Sequence, residues 1–155
     1  MARMSDFSET EQKHHLDKIA ELPDFGVTPD VAGPPLAQRR VAIITTAGLH
    51  LRSDRPFDSG AADYRVIPGD APAGDLVMSH LSVNFDRTGF QEDLNVVFPL
   101  ERLRELAAEG VVGAVADVHY SFMGATQIRA LEVKARELAG LLKKDRVDAV
   151  LLSPV

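Results

Sequence analysis

The sequence predicts a single three-layer α/β domain with a mainly parallel sheet, preceded by an N-terminal helix and an extended arm. Two observations support this fold class. In the second half of the chain, amphipathic helical segments alternate with short apolar, β-branched runs across short connections, which indicates right-handed crossovers in a parallel sheet. The chain has 155 residues, 45% of them hydrophobic, which suits one compact core and is too short for two ordinary domains. We therefore expect the helix and arm over residues 1–40 and the α/β domain over residues 41–155.

The first predicted element is a helix over residues 9–22. Ser8 and Glu11 have the spacing of a capping box, and apolar residues then recur close to the helical period until Pro23. Residues 24–38 are rich in Pro, Gly, Asp and small side chains, which predicts an ordered arm without a core of its own.

The elements of the α/β domain follow from apolar periodicity and from start and stop signals. Residues 41–46 are apolar and β-branched, as in a buried parallel strand. Pro99 begins a helix whose leucines recur at helical spacing until Gly110. Residues 126–143 carry an apolar stripe opposite charged residues, which predicts a helix that covers the sheet. The predicted strands are residues 41–46, 64–67, 75–81, 111–118 and 147–152.

Composition disfavours several classes of partner. The 23 acidic residues outnumber the 17 basic ones, and no basic stripe interleaves with aromatic residues, so nucleic acid and anionic membranes are poor partners. No apolar run has the length of a membrane span or the form of a signal peptide, so we expect a cytoplasmic location. Without cysteine, these residues can form no disulfide and supply no thiolate.

Ligands of parallel sheets bind beyond the carboxyl ends of the strands. Three segments leave those ends here, residues 45–50, 119–124 and 153–155, and residues 79–87 are a candidate fourth. The first of these segments lacks the spaced glycines and the lysine of nucleotide-binding loops, so nucleotide binding is disfavoured.

Polar groups in these segments are the candidate catalytic residues. His80 and Asp86 follow an apolar strand, although the same residues suit a solvated acidic loop. His119 directly follows a strand, and Ser121 and Gly124 precede a helix whose first amides could hold an anion. The alternative for His119 is a buried histidine with its hydrogen bonds satisfied.

Two further sets of residues extend the candidate site. His80, His119, Asp86 and Asp93 could ligate a divalent metal, but they form no tight motif, so we predict no metal and favour acid–base chemistry by a histidine oriented by a carboxylate. Predicted substrate-binding residues, which include hydroxyls suited to a small carboxylate, are Thr45, Thr46, His50, Ser121 and Gly124.

Five stretches of the sequence resemble the selenoprotein subunit family of glycine, sarcosine, betaine and D-proline reductases, and the D-proline branch in particular. They read VAIITTAGLHL, SHLSVNFD, DLNVVFP, VHYSFMG and VDAVLLSPV, over residues 41–51, 79–86, 93–99, 118–124 and 147–155. In this family the strand that resembles residues 147–155 leads directly into a selenocysteine or cysteine. The resemblance therefore implies such a residue immediately after Val155. Because selenocysteine is encoded by UGA, which is ordinarily read as a stop, we expect that the chain is truncated there and inactive alone.

The resemblance also implies an activity and a partner. The expected chemistry is attack by a selenolate or thiolate on the carbon that bears an amine, with reductive cleavage of the C–N bond. A pyruvoyl group on a partner subunit would capture the substrate amine, so a hetero-oligomer is expected, with a homo-oligomer as the other assembly. His80 and His119 would tune the nucleophile or shuttle protons, and Ser121 would position the substrate. The alternatives are a non-catalytic assembly module and a domain that binds small carboxylates.

Overall fold

The computed structural model describes residues 3–24, 26–27, 31–82 and 87–155. The chain divides into two compact units, Met1–Val31 and Ala32–Val155. The second unit includes the end of the predicted arm, because the Gly113 N–H donates a hydrogen bond to Leu36 O at 3.1 Å and ties residues 36–39 to the domain.

The first unit is built around helix α1 (Glu9–Ala20). Its predicted capping box is present: Ser8 Oγ accepts from the Glu11 N–H, and the Glu11 carboxylate accepts from the Ser8 N–H at 3.0 Å. The helix ends two residues before the predicted end at residue 22, because the residue before Pro23 is sterically disfavoured in helical conformation.

From α3 onwards, the second unit alternates helices and strands as predicted for the second half of the chain. In chain order, its strands and α-helices within the described residues are β1 (Arg40–Thr45), β2 (Leu49–Leu51), β3 (Arg65–Pro68), β4 (Leu76–Met78), α2 (Thr88–Glu92), α3 (Leu100–Ala108), β5 (Ala114–Val115), β6 (Val118–Ser121), α4 (Ile128–Lys144) and β7 (Ala149–Ser153).

Strand β1 is the centre of a mainly parallel sheet. It pairs in parallel with β7 on one side and with β5 and β6, which lie end to end, on the other. Strand β3 extends the sheet beyond β6 in the antiparallel direction, and β2 and β4 form a separate antiparallel ribbon. The predicted α/β fold with a mainly parallel sheet is confirmed.

Helices cover both faces of the sheet. On one face, Val41 and Ile43 of β1 pack in a cluster with Leu103 of α3. On the other face, Ala42 of β1 packs in a cluster with Leu138 of α4. Because successive side chains of a strand point to opposite faces, one apolar run can serve both helical layers.

The predicted strand over residues 111–118 is wrong in its extent: β5 covers only two of these residues, and β6 begins at Val118 after a bulge. Arg40 pairs with Ala114, whereas Ile44 pairs with Tyr120. The chain from β5 to β6 therefore advances by six residues where β1 advances by four. The two extra residues are accommodated where Ala116 and Asp117 separate the two strands. Apolar periodicity does not reveal such an insertion, because Val115 and Val118 both remain apolar.

Other boundaries also differ from the prediction. Strand β4 is shorter than the predicted residues 75–81, because its length is limited by the three residues of β2 that pair with it. Strand β2 and the five-residue helix α2 were not predicted at all. Both are too short to show a periodicity of their own, and they depend on contacts with the rest of the unit.

Strand β7 is an edge of the sheet as far as the described residues extend. It pairs there with β1 alone, and Val150, Leu151 and Leu152 are exposed, with Leu152 at 68%. Its five residues contain no charge or proline of the kind that commonly protects an edge strand. Among the helices in the described ranges, none combines the length and apolar character needed to cross a membrane.

Candidate active site

The loops at the carboxyl ends of β1, β6 and β7 are held together by backbone hydrogen bonds. The Thr46 N–H donates to Ser153 O at 3.1 Å, and the Gly124 N–H donates to Thr46 O at 2.8 Å. The Gly48 N–H donates to Phe122 O at 2.9 Å. The three segments that the sequence predicts at this edge therefore meet there.

Thr46 holds the backbone of Val155 at this edge. Its Oγ1 accepts a hydrogen bond from the Val155 N–H at 2.8 Å and donates one to Val155 O at 3.3 Å. A single hydroxyl thus fixes both polar groups of the residue that follows Pro154. Because each group is held by the same side chain, the orientation of Val155 depends directly on Thr46.

We predict that Thr46→Val loosens Val155 without disturbing the sheet. Valine keeps the shape of threonine but removes the hydroxyl, and one hydrogen bond contributes about 1 kcal/mol. The Val155 amide should then exchange with deuterium roughly fivefold faster. Hydrogen exchange followed by mass spectrometry measures this rate, with Thr46→Ser as the control that keeps the hydroxyl. An unchanged rate in Thr46→Val would contradict the assignment.

Gly124 lies at the point where three functional groups converge. A Cβ on this residue would lie 2.6 Å from Val155 O, 2.8 Å from Thr46 O and 3.0 Å from His80 Nε2. Contacts this short do not occur for real Cβ atoms when the neighbours are backbone. The absence of a side chain at Gly124 is therefore what allows Val155 and His80 to approach each other.

His80 presents a ring nitrogen to this point. It is 4% exposed, and its Nδ1 accepts a hydrogen bond from the Ser82 N–H at 3.2 Å. The neutral ring consequently carries its hydrogen on Nε2, the atom near Gly124. Burial, together with the nearby Arg87 guanidinium, lowers the pKa of His80 below its usual 6.5. Near pH 7 this side chain is therefore a hydrogen-bond donor from Nε2.

The hydroxyls of Thr45 and Ser121 lie in the interior of the unit. Both residues are 0% exposed. Thr45 Oγ1 accepts from the Ala47 N–H at 3.1 Å, and Ser121 Oγ accepts from the Leu49 N–H at 2.8 Å. These bonds shape the turn that follows β1. Substrate binding by Thr45 and Ser121 stays a prediction.

His119 is fully buried within the sheet. Its Nδ1 accepts a hydrogen bond from the Ile43 N–H at 3.0 Å, and its ring lies edge-on to Phe98 with centroids 5.6 Å apart. At the bulge between β5 and β6, this imidazole takes the place of a strand carbonyl as the partner of the β1 amide. His119 therefore completes the hydrogen-bond ladder. A catalytic role for His119 stays a prediction.

Burial makes His119 a source of acid sensitivity. Burial, and then the Arg104 and Arg40 guanidiniums, lower the pKa of His119 from 6.5 to about 4, while Asp117 opposes the shift. The folded-state pKa lies below the unfolded one, so between these values the unfolded chain binds a proton that the folded chain does not. We expect the free energy of unfolding to fall by about 3 kcal/mol as the pH drops through this window.

Urea denaturation at pH 7, 5.5 and 4 measures the acid sensitivity. His119→Asn, which keeps an acceptor near the position of Nδ1 but does not titrate, should show a clearly smaller loss of stability over the same range. His80 contributes in the same direction, so a residual loss is expected in the variant. If wild type and His119→Asn lose the same free energy of unfolding between pH 7 and pH 4, the acid sensitivity does not come from His119.

The remaining predicted residues lie away from Gly124 or outside the described residues. His50 lies on β2 and contacts Ser79 and Leu51 O rather than the converging groups. Asp86 lies outside the described residues. The Asp93 carboxylate accepts a hydrogen bond from the Asn95 N–H and caps a short turn. Within the described ranges, no group of three or more His, Cys, Asp or Glu is arranged to hold a metal.

Comparison with known proteins decides the family. The family model described as "Glycine/sarcosine/betaine reductase selenoprotein B" matches residues 20–155. The chain belongs to this selenoprotein B family. The resemblance of the five sequence stretches is thereby confirmed. The match begins at the last residue of α1, so that helix lies almost entirely outside the matched region.

Curated members of the selenoprotein B family and its relatives are similar over most of the chain. D-proline reductase subunit gamma of Acetoanaerobium sticklandii is 37% identical over 134 residues, which cover 82% of this chain and 54% of that protein. Glycine reductase complex component B subunit gamma of Symbiobacterium thermophilum is 32% identical over 142 residues, covering 85% of this chain and 32% of that protein. Sarcosine reductase complex component B subunit beta of Peptoclostridium acidaminophilum is 32% identical over 133 residues, covering 82% and 30%.

The chain spans about half the length of the D-proline reductase subunit and about a third of the two others. No solved structure gives a significant match. The geometry of the candidate site therefore comes from this chain itself. Two of its features, the backbone of Val155 and the tautomer of His80, were not predicted, because they arise from contacts between residues distant in sequence.

Proposed function

We propose that this chain is the α/β part of a reductase subunit that cleaves a C–N bond in an amino acid or related amine, with D-proline as the first substrate to test. The observation that carries this proposal is the convergence of Val155, Thr46 and His80 at Gly124. It supports a reactive group at the carboxyl end of β7, where parallel sheets place their chemistry. The relative named D-proline reductase subunit gamma is 37% identical.

We further propose that a selenocysteine or cysteine directly follows Val155. Thr46 would then fix the peptide group next to the reactive residue, and Gly124 would leave room for its side chain. His80 Nε2 carries the ring hydrogen and lies near Gly124, and a hydrogen bond from such a group favours the selenolate or thiolate over its protonated form. The residues present therefore suit an anionic nucleophile at this position.

When present, such a residue supplies the anionic nucleophile for attack on the carbon that bears the amine. His80 would hold that nucleophile in place by donating from Nε2, and the buried surroundings strengthen this hydrogen bond. The capture of the substrate amine by a pyruvoyl group on a partner subunit is part of the same proposal.

The partner is proposed from two observations. Relatives are named as subunits of reductase complexes, among them the component B subunits of glycine and sarcosine reductase. The open edge of β7, with Leu152 exposed, supports an assembly in which this edge is covered. A hetero-oligomer is the favoured assembly, and the homo-oligomer and the cytoplasmic location stay predictions.

The activity can be tested on the complex isolated from the organism that carries the gene. With a dithiol as reductant, the complex should reduce D-proline, glycine, sarcosine or betaine, and His80→Ala should slow turnover on the order of 10²-fold. Gly140→Ala is the matched control, because a Cβ there meets nothing within 4 Å. A stable complex that reduces none of these amines would contradict the proposal.

A further inference from the structure

A second polar pair lies on the ribbon formed by β2 and β4. His50 Nε2 lies 2.7 Å from Ser79 Oγ, and His50 Nδ1 lies 2.7 Å from Leu51 O. A carbonyl oxygen only accepts, so Nδ1 carries the hydrogen in this arrangement. In the neutral ring, Nε2 is then the acceptor for the Ser79 hydroxyl. The Ser79 hydroxyl, the His50 base and the Leu51 carbonyl that orients the base are therefore linked by two consecutive hydrogen bonds.

The pair lies on a different side of the ribbon from the candidate active site. The Ser79 N–H donates to Gly48 O at 2.9 Å, which continues the ladder in which His50 is opposite Val77. Successive side chains of an extended strand point in opposite directions. Since His80 is directed at Gly124, Ser79 points away from that site.

Burial distinguishes the two members of the pair. His50 is 3% exposed, whereas Ser79 is only partly buried. The residue that carries the base is therefore more buried than the residue that carries the hydroxyl. Base-activated serines require the base within hydrogen-bond reach of the hydroxyl and a third group that orients the base, and both conditions are met here.

We propose that Ser79 is a nucleophilic serine that acts on carboxylic esters, with His50 as its general base and Leu51 O as the group that holds the imidazole. Ser79 Oγ forms a bond to the carbonyl carbon while its proton passes to His50 Nε2. The ester C–O bond then breaks, and the departing alkoxide takes that proton from His50. Water releases the acyl group from Ser79 by the reverse sequence. This proposal does not depend on the reductase function.

A fluorophosphonate probe tests the proposal on the full gene product. The reactive serine should form a covalent phosphonyl adduct with loss of fluoride. Trypsin releases Ser79 on the peptide of residues 66–87, whose other serine is Ser82. Tandem mass spectrometry then assigns the adduct to one of the two, and we expect it at Ser79.

Variants and a denatured sample provide the controls. Ser79→Ala should abolish the adduct, and His50→Gln should slow labelling about 10²-fold or more. Ser59→Ala, at an exposed loop position, should leave the rate unchanged, and circular dichroism checks the fold of each variant. Wild-type protein in urea should not be labelled, which keeps the test valid even where a variant fails to fold. No adduct at Ser79 in the native protein, or equal labelling in urea, would overturn the proposal.

Discussion

His119→Ala is expected to lower the free energy of unfolding by about 3–5 kcal/mol. The substitution removes a fully buried ring that packs against Phe98 and leaves a cavity in the sheet. It also leaves the Ile43 N–H without its acceptor in the interior, where an unsatisfied amide costs about 1–3 kcal/mol. Urea denaturation followed by circular dichroism measures the difference.

Two further variants show whether the hydrogen bond or the volume causes this loss. His119→Asn keeps an acceptor near Nδ1 and should cost less than His119→Ala by roughly the value of one buried hydrogen bond, about 1–3 kcal/mol. His14→Ala, at an exposed position on α1, should change stability by less than about 0.5 kcal/mol. If His119→Asn is as destabilising as His119→Ala, the ladder-completing role is wrong.

Gly124→Ala is expected to abolish reduction by the complete complex, with a loss of 10²-fold or more. The new Cβ would stand 2.6 Å from Val155 O and 2.8 Å from Thr46 O, and these backbone atoms cannot rotate away as a flexible side chain can. Either Val155 or Thr46 must shift, and an error of about 1 Å at a reactive centre costs about 10²-fold. Overpacking should also lower the free energy of unfolding by about 1–3 kcal/mol.

The matched control for Gly124→Ala is the same substitution on α4. A Cβ at Gly140 meets nothing within 4 Å, and alanine favours a helix more than glycine does. Gly140→Ala should therefore keep full activity and raise the free energy of unfolding by up to about 1 kcal/mol. Full activity in Gly124→Ala would contradict the convergence of Val155 and His80 as the reactive site.

The sheet and its helices could be predicted because they rest on local patterns. β1, α3, α4 and β7 each carry an apolar run or stripe with a start or stop signal, and the parallel alternation sets their relative directions. Their carboxyl ends then placed Thr46 and Gly124 at one edge, as the structure confirms. His80 lies within residues 79–87, which the sequence indicated only as a candidate fourth segment at this edge.

The functions of individual polar residues could not be predicted in the same way. The bulge that turns His119 into a ladder partner depends on the register between strands more than 70 residues apart. The pairing of His50 with Ser79 depends on β2, a strand of three residues without a periodicity of its own. In both cases a contact between distant segments decides which groups the histidine contacts.

The most direct test of the proposed reductase site is the residue that follows Val155 in the native gene product. Trypsin cleaves after Arg146, so one peptide begins at Val147 and extends through Val155. Protein isolated from the organism grown with selenium, reduced and alkylated, should give this peptide continuing into an alkylated selenocysteine or cysteine. A peptide that ends at Val155, or that continues with any other residue, would contradict the proposal.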